Sequence, residues 1–266
     1  MNEVHRLQLP SFYEISAETS WKTIDFISDV HLRAEDTATF EAWKSYMLRS
    51  RADAIFILGD LFEAWVGDDV MQQAFEAACV EVLEAASAGK QLAFMVGNRD
   101  FLVGSKLLKH CGMLALSSPT RLMAWDQPIL LIHGDELCLG DEPYQAFRQE
   151  VRQEAWQDRF LALPLSQRLS LAKEMRDASK SSQAARGSPG KPLISDIDTS
   201  AAVAWMHQAG CKTLVHGHTH QPGTEVMAPG YTRHVLSDWD MHSSKPRAEA
   251  LRLTRDGFNR LHAVRA

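Results

Sequence analysis

Five short polar motifs stand out in this chain because each one follows an apolar run. They are Asp29-Val30-His31, Gly59-Asp60, Gly97-Asn98-Arg99-Asp100, His133-Gly134-Asp135 and His216-Gly217-His218-Thr219-His220. Together they supply carboxylate, imidazole and amide donors and no thiolate, which is ligand chemistry that suits Mn, Fe, Co or Zn. Any one of these motifs alone is more often a turn or a helix cap than a ligand. All five in one chain predict a metal site.

The motifs carry more donors than one tetrahedral ion accepts. They suit two ions that share a carboxylate. A pair of ions about 3.5–4 Å apart is the recurring arrangement for phosphoryl transfer, because it holds both the attacking and the leaving oxygen. Asp60 stands alone at the end of its apolar run. We therefore predict that Asp60 bridges the two ions.

The apolar runs predict the elements that position the motifs. They cover residues 24–27, 54–58, 92–96, 129–132 and 213–215. Their length and their β-branched content are typical of buried strands. In α/β proteins, sites form outside the carboxyl ends of such strands. The sequence thus predicts an α/β protein whose chemistry lies at the strand ends.

The order Asp-x-His, Gly-Asp, Gly-Asn-x-Asp, His-Gly-Asp and Gly-His-x-His resembles the calcineurin-like metallophosphoesterases over roughly residues 23–264. The resemblance implies an αββα sandwich, with two mixed β-sheets flanked by helices. The implied ligands are Asp29, His31 and His220 for the first ion, Asn98, His133 and His218 for the second, and Asp60 between them. His216 falls outside the family's pair of histidines. We interpret it as a residue that supports the ligands or faces the substrate.

Arg99 departs from the wider family, in which many members have a histidine that protonates an alkoxide leaving group at this position. A guanidinium has a pKa above about 12, so it is no general acid near neutrality. It binds a phosphate oxyanion through paired hydrogen bonds. A pyrophosphate leaves as a stable phosphate anion and needs no proton. Arg99 therefore favours an anhydride substrate, and its pairing with Asp100 or another carboxylate as part of the scaffold is the alternative.

A finer resemblance points to the UDP-2,3-diacylglucosamine hydrolases of lipid A biosynthesis. The segments that carry it are 59–69, 97–101, 133–138, 144–148 and 216–220. That family hydrolyses the pyrophosphate bond of an acylated UDP-sugar by metal-activated water and releases UMP and 2,3-diacylglucosamine 1-phosphate, or lipid X. The resemblance implies two Mn²⁺ ions per subunit, although the donors suit other divalent ions. It also implies that Asp60, Asn98 and Arg99 are catalytic.

A segment of opposite charge interrupts the sandwich and predicts a helical cap over residues 142–191. Helical spacing relates Tyr144, Phe147 and Val151, and again Leu165, Leu169, Ala172 and Met175. The segment contains nine Lys and Arg residues and six Asp and Glu residues, so it carries a net charge of +3 in a chain of net charge −6. A basic amphipathic cap suits an anionic acylated substrate and a membrane surface. We predict that the face with Leu165, Leu169, Ala172 and Met175, together with Phe147, encloses the acyl chains. A solvated helix pair packed on the core is the alternative.

The predicted organisation has an irregular extension over residues 1–22, a core over 23–141 and 192–266, and the cap between the core segments. The resemblance implies a set of substrate contacts, namely Asn98, Arg99, Asp141, Ser179, Gln183, Arg186 and His218. The family commonly has Asn and Lys where this chain has Gln183 and Arg186. Asp141 also fits a helix N-cap, and the two roles are compatible.

The remaining composition limits the function classes. No apolar run reaches the roughly 20 residues of a membrane span, and no signal-peptide pattern is present. Four cysteines without paired spacing indicate free thiols in a reducing cytosol. A net negative charge argues against nucleic acid as a partner. We expect a cytoplasmic enzyme in peripheral contact with the cytoplasmic face of the inner membrane. The alternative functions are a phosphoesterase for soluble nucleotides and a non-catalytic scaffold. The oligomeric state stays open.

Overall fold

The computed structural model describes residues 10–186 and 195–263, with side chains described through 177 in the first range. The strands within these ranges are Tyr13–Ser16 (β1), Ile24–Ile27 (β2), Ala54–Leu58 (β3), Gln91–Met95 (β4), Leu114–Leu116 (β5), Thr120–Ala124 (β6), Gln127–Leu131 (β7), Thr213–His216 (β8), Gly223–Ala228 (β9), Tyr231–Val235 (β10), Glu249–Thr254 (β11) and Gly257–His262 (β12). The helices are Thr37–Arg49 (α1), Ala74–Ser87 (α2), Ser105–His110 (α3), Glu142–Val151 (α4), Glu154–Leu161 (α5), Leu165–Arg186 (α6) and Thr199–Gln208 (α7).

The strands form two mixed sheets of six strands each in the described part of the chain. One sheet has the order β12-β11-β2-β3-β4-β5, and the other has the order β1-β6-β7-β8-β10-β9. Strands β2, β3 and β4 run parallel, and so do β7 and β8. Because parallel strands present their carboxyl ends at the same edge, each sheet collects its motifs at one edge.

Alternating side chains along the motif strands separate into different layers of the core. In β3, Phe56 and Leu58 pack between the sheets, whereas Ile55 and Ile57 pack under the helices. In β7, Leu131 lies between the sheets and Leu130 packs under α7. A strand that is covered on both faces has a continuous apolar sequence, which is why these strands can be predicted from the sequence. The predicted αββα sandwich is confirmed.

The N-terminal segment is more ordered than the sequence suggested. Residues 13–16 form β1, which pairs in parallel with β6 at the edge of the second sheet. The expectation of an irregular extension up to residue 22 was wrong for this segment. Its residues are mostly exposed, so no apolar run marks the strand; pairing with β6 supplies its hydrogen bonds instead.

The cap consists of α4, α5 and α6, and ion pairs fasten it to the core. Asp135, directly after the fourth motif, accepts hydrogen bonds from Tyr144 Oη at 2.6 Å and Arg148 Nε at 2.7 Å on α4. Arg168 on α6 is 3% exposed and pairs with Asp69 in the loop after β3. Arg168 Nε also donates to the carbonyl of Leu163 at 2.9 Å. Charged groups therefore fix α4 and the first turn of α6 to the core.

Two further sequence expectations can be compared with the described residues. All four cysteines are buried and free, as the lack of paired spacing indicated. Among the described helices, none is both long and apolar enough to cross a membrane. The domain boundaries stay predictions, because the end of the cap at 187–191 lies outside the described residues.

We expect Arg168→Met to lower the free energy of unfolding by about 1–3 kcal/mol, because the buried carbonyls of Val66 and Leu163 then lose their donor. Urea denaturation followed by circular dichroism measures the change. The exposed Arg159 on α5 offers the control, and Arg159→Met should stay within about 0.5 kcal/mol of wild type. Equal stability of the two variants would show that Arg168 does not hold the cap.

Candidate metal centre

Five of the predicted ligands have a backbone conformation that non-glycine residues rarely adopt. Their φ angles are 52° for Asp29, 52° for His31, 54° for Asp60, 65° for His218 and 52° for His220. Each such residue costs of order 1–3 kcal/mol and persists only where the surrounding structure enforces it. The strained turns lie directly after β2, β3 and β8. They bring donors from both sheets together.

The first group of donors consists of Asp29, His31 and His220. The Nε2 atoms of His31 and His220 lie 3.2 Å apart, and His220 Nε2 lies 3.4 Å from Asp29 Oδ1. Burial alone would raise the pKa of Asp29, but the close contact with His220 and the charges of the neighbouring histidines hold it far below its usual value. Asp29 is thus a buried carboxylate anion.

The second group consists of Asp29, Asp60 and His133, with Asn98 and His218 beside it. Asn98 Oδ1 lies 3.0 Å from His133 Nε2 and 2.8 Å from His218 Nδ1. His133 Nδ1 lies 2.8 Å from the carbonyl of Leu58, which requires a proton on Nδ1. Nε2 of a neutral His133 therefore presents a lone pair to the group, as a metal ligand must.

Asp60 faces both groups with different oxygens. Its Oδ2 lies 4.0 Å from His31 Nε2, and its Oδ1 lies 3.6 Å from His133 Nε2. The backbone N–H of Arg99 donates to Oδ1 at 2.8 Å and fixes the carboxylate. This position suits the predicted bridge, which stays a prediction.

The donor set fits divalent cations. Asp29 and Asp60 are almost fully buried, and among the described residues no hydrogen bond reaches Asp29 Oδ1. Burial lowers the pKa of His133, but the charges of Asp60, Asp135 and Asp29 override it and raise that pKa to about 9. The same carboxylates that attract a proton to His133 would attract a metal cation.

Glycines in the motifs allow this close approach. A Cβ on Gly97 would collide with the Asp60 carboxylate, and a Cβ on Gly217 would collide with Asp29 and Ser28. The glycines of Gly97-Asn98 and Gly217-His218 are therefore part of the site's construction.

Two clefts adjoin the donors. In the apolar cleft, much of the wall is supplied by Trp65, Phe101, Phe147, Trp156, Phe160 and Met175. In the polar cleft, the wall includes Arg33, Asp36, His31, His220, Asp238 and Asp240. Glu63 and Arg99 line both clefts. Arg99 therefore stands where the two clefts meet.

Comparison with known proteins identifies the family of the chain. The family model of the calcineurin-like phosphoesterases matches residues 22–222. The UDP-2,3-diacylglucosamine hydrolase of Xanthomonas campestris pv. campestris strain B100 is 38% identical over 234 residues, covering 85% of this chain and 94% of the relative. That of Chromohalobacter salexigens is 41% identical over 219 residues, covering 80% and 87%.

The chain belongs to the UDP-2,3-diacylglucosamine hydrolase family of calcineurin-like phosphoesterases. A solved phosphoesterase, Yfce from E. coli, aligns over 91% of this chain and 99% of its own with 15% identity and a TM-score of 0.41.

The structure describes the contacts of some of the predicted substrate residues but not of others. In the described part of the chain, Arg99 forms no ion pair with Asp100. The Asp100 carboxylate accepts hydrogen bonds from backbone N–H groups instead. Asp141 accepts from the backbone N–H of Tyr144 at 3.2 Å, so its capping role is confirmed and its substrate role stays a prediction. The side chains of Ser179, Gln183 and Arg186 lie outside those described, although their backbone belongs to α6.

His216 lies in the interior of the protein and has no exposed surface. Its Nδ1 lies 2.9 Å from the carbonyl of Gly217, and burial lowers its pKa to about 4. Of the two interpretations, support of the ligand loop fits this position, whereas contact with substrate does not.

The cap residues predicted to enclose acyl chains also divide. Phe147, Ala172 and Met175 line the apolar cleft. Leu165 packs against the main core instead, and Leu169 is 44% exposed. The prediction was wrong for Leu165 and Leu169, because helical spacing gives the faces of a helix but not which neighbour each face meets.

Sequence reasoning assigned no role to Glu63, and it considered Asp100 only as an alternative partner of Arg99. Glu63 Oε2 lies 3.3 Å from His31 Nδ1, and its Oε1 lies 3.8 Å from Arg176 Nη1 on α6. Asp100 accepts from the backbone N–H groups of Gly97 and Leu61, both at 2.8 Å. Burial and the charge of Asp60 raise its pKa to about 6. Asp100 ends the third motif, and Glu63 lies in the segment 59–69 that carries the family resemblance; these positions were the available signal.

We expect Glu63→Gln to weaken Mn²⁺ binding by about 10- to 100-fold, because a carboxylate behind a histidine ligand orients the ring and increases its basicity. Calorimetric titration of metal-stripped protein measures the dissociation constant. Glu41→Gln, on the exposed face of α1, is the matched control and should bind as wild type does. An unchanged constant in Glu63→Gln would contradict this role.

Proposed function

We propose that the protein hydrolyses the pyrophosphate bond of UDP-2,3-diacylglucosamine, a step of lipid A biosynthesis, and releases UMP and 2,3-diacylglucosamine 1-phosphate. The observation that carries this proposal is the apolar cleft that opens onto the candidate metal centre. Asn98 and Arg99 line the cleft together with aromatic residues of the cap. A water-soluble phosphate ester has no use for such a wall, whereas acyl chains do.

The cleft wall is built for apolar chains. Trp156 and Phe160 stack with ring centroids 4.9 Å apart, and Phe101 packs against Trp156. Each CH₂ that leaves water for such a surface contributes about 0.8 kcal/mol. Arg176 lies in the same wall and suits the phosphate that joins the lipid to the nucleotide.

The proposed ligands are Asp29, His31, Asp60, Asn98, His133, His218 and His220, holding two Mn²⁺ ions per subunit. Bound divalent ions would supply an activated water and neutralise phosphate charge. Arg99 would stabilise the charge that develops on the phosphate, and the leaving phosphate needs no proton. Asn98 and His218 would contact the phosphate, with Asp141, Ser179, Gln183 and Arg186 holding the glucosamine side.

We expect Arg99→Ala to reduce kcat for the acylated substrate by about 10²–10³, the effect of losing one charged donor to the transition state. Steady-state kinetics with saturating Mn²⁺ measure it. Arg99→His serves as the paired variant and should not restore the rate, because this leaving group gains nothing from a general acid. An unchanged rate in Arg99→Ala would remove the argument for an anhydride.

Acylation should dominate substrate selection. We expect kcat/KM for UDP-2,3-diacylglucosamine in detergent to exceed that for de-acylated UDP-glucosamine by about 10³ or more, since five buried CH₂ groups already account for that factor. Reactions without Mn²⁺ and with bis(p-nitrophenyl) phosphate are the controls. Values that agree within a few-fold would favour the second candidate, a phosphoesterase for soluble nucleotides.

The substrate's acyl chains also suggest a place of action at the cytoplasmic face of the inner membrane. Leu161 and Leu169 are 41% and 44% exposed on the cap, and the exposed cations Arg159 and Lys173 lie on the same two helices. Apolar side chains beside cations suit an anionic lipid surface. The double variant Leu161→Ser/Leu169→Ser should bind phosphatidylglycerol vesicles less than wild type in flotation, and equal binding would contradict this surface.

A further inference from the structure

The polar cleft and the apolar cleft adjoin different groups of donors in the candidate metal centre. Its wall contains His31 and His220 of the first group, whereas the apolar cleft contains Asn98 of the second. Apart from Glu63 and Arg99, the two clefts have no lining residue in common. A molecule that reacts between the two groups would thus extend into two different environments.

The proposed substrate has two dissimilar arms that diverge from the bond that breaks. One arm is an acylated sugar, and the other is a nucleoside. Because the P–O bond that breaks must lie at the metal centre and the two arms are attached on its opposite sides, the arms have to leave the centre in different directions. The apolar cleft suits the acyl chains, so the nucleoside requires a separate polar surface that begins at the same donors.

The polar cleft offers the groups that recognise a nucleotide. Arg33 is 45% exposed, and its Nη2 lies 3.8 Å from Asp36 Oδ2. At this separation most of its five N–H donors stay available for a phosphate.

Asp240 supplies the matching acceptor. Its Oδ1 accepts from the backbone N–H groups of His242 at 2.9 Å and Ser243 at 3.0 Å. Among the described residues, no hydrogen bond reaches its Oδ2. Carboxylates bind ribose hydroxyls in dinucleotide-binding proteins, and Asp240 is fixed in position with one oxygen available for such a contact.

We propose that the polar cleft binds the uridine monophosphate half of the substrate, with Arg33 on the phosphate side and Asp240 on the ribose; this rests on the function proposed above. The cleft is then a product site for UMP, whereas the apolar cleft is the product site for the lipid. Each product should depend on its own cleft.

Calorimetry with each product in the presence of Mn²⁺ tests this separation. We expect Arg33→Ala to weaken UMP binding by about 10-fold, the effect of losing a hydrogen bond to a charged group, without changing binding of 2,3-diacylglucosamine 1-phosphate in detergent. Phe147→Ala should have the converse effect. Arg51→Ala, an exposed arginine outside both clefts, is the matched control and should affect neither.

A second measurement addresses Asp240. Wild type should prefer UMP to 2′,3′-dideoxy-UMP, and Asp240→Asn should reduce that preference. Loss of UMP binding in Arg33→Ala without any hydrolysis of the acylated substrate by wild type would support the subsite and overturn the proposed function. Hydrolysis by wild type with UMP binding unchanged in Arg33→Ala and Asp240→Asn would overturn the subsite alone.

Discussion

The burial of Asp29 and Asp60 beside one another is the constraint on which the rest of the structure depends. Two carboxylates without solvent repel each other and lose hydration, so they persist only with compensating charge. Histidines from both sheets supply part of it, yet Asp29 Oδ1 receives no hydrogen bond from the described residues. The strained turns at the strand ends cost further free energy. A divalent cation would offset both, which makes the centre a metal site by electrostatics as well as by ligand type.

The cap depends on the same loops that carry the ligands. Asp135 follows His133 and binds α4, while Asp69 in the loop after Asp60 pairs with Arg168 on α6. Glu63 touches both His31 and Arg176. Residues that bind no metal therefore fix the apolar wall relative to the donors. This explains why the resemblance to the family extends beyond the ligands into neighbouring positions.

The two clefts differ in polarity because most of their wall residues come from different loops. The loops after β3 and β4 and the cap build the apolar wall, whereas the loop after β2 and the segment before β11 build the polar one. Arg99 lies at their junction, since it lines both clefts. The structure thus provides one hydrophobic and one hydrophilic path from a single charged centre.

The sequence alone determined the five strands that precede the motifs, the donor types and the family, because apolar runs of five or so residues and motif order are local properties of a chain. It placed β2, β3, β4, β7 and β8 within one or two residues of their observed bounds. Only the tertiary structure decided that β1 pairs with β6, that Ala172 faces the cleft while Leu169 faces outward, and that Glu63 joins His31 to Arg176. These depend on which distant segment packs against a residue, and periodicity carries no information about that partner.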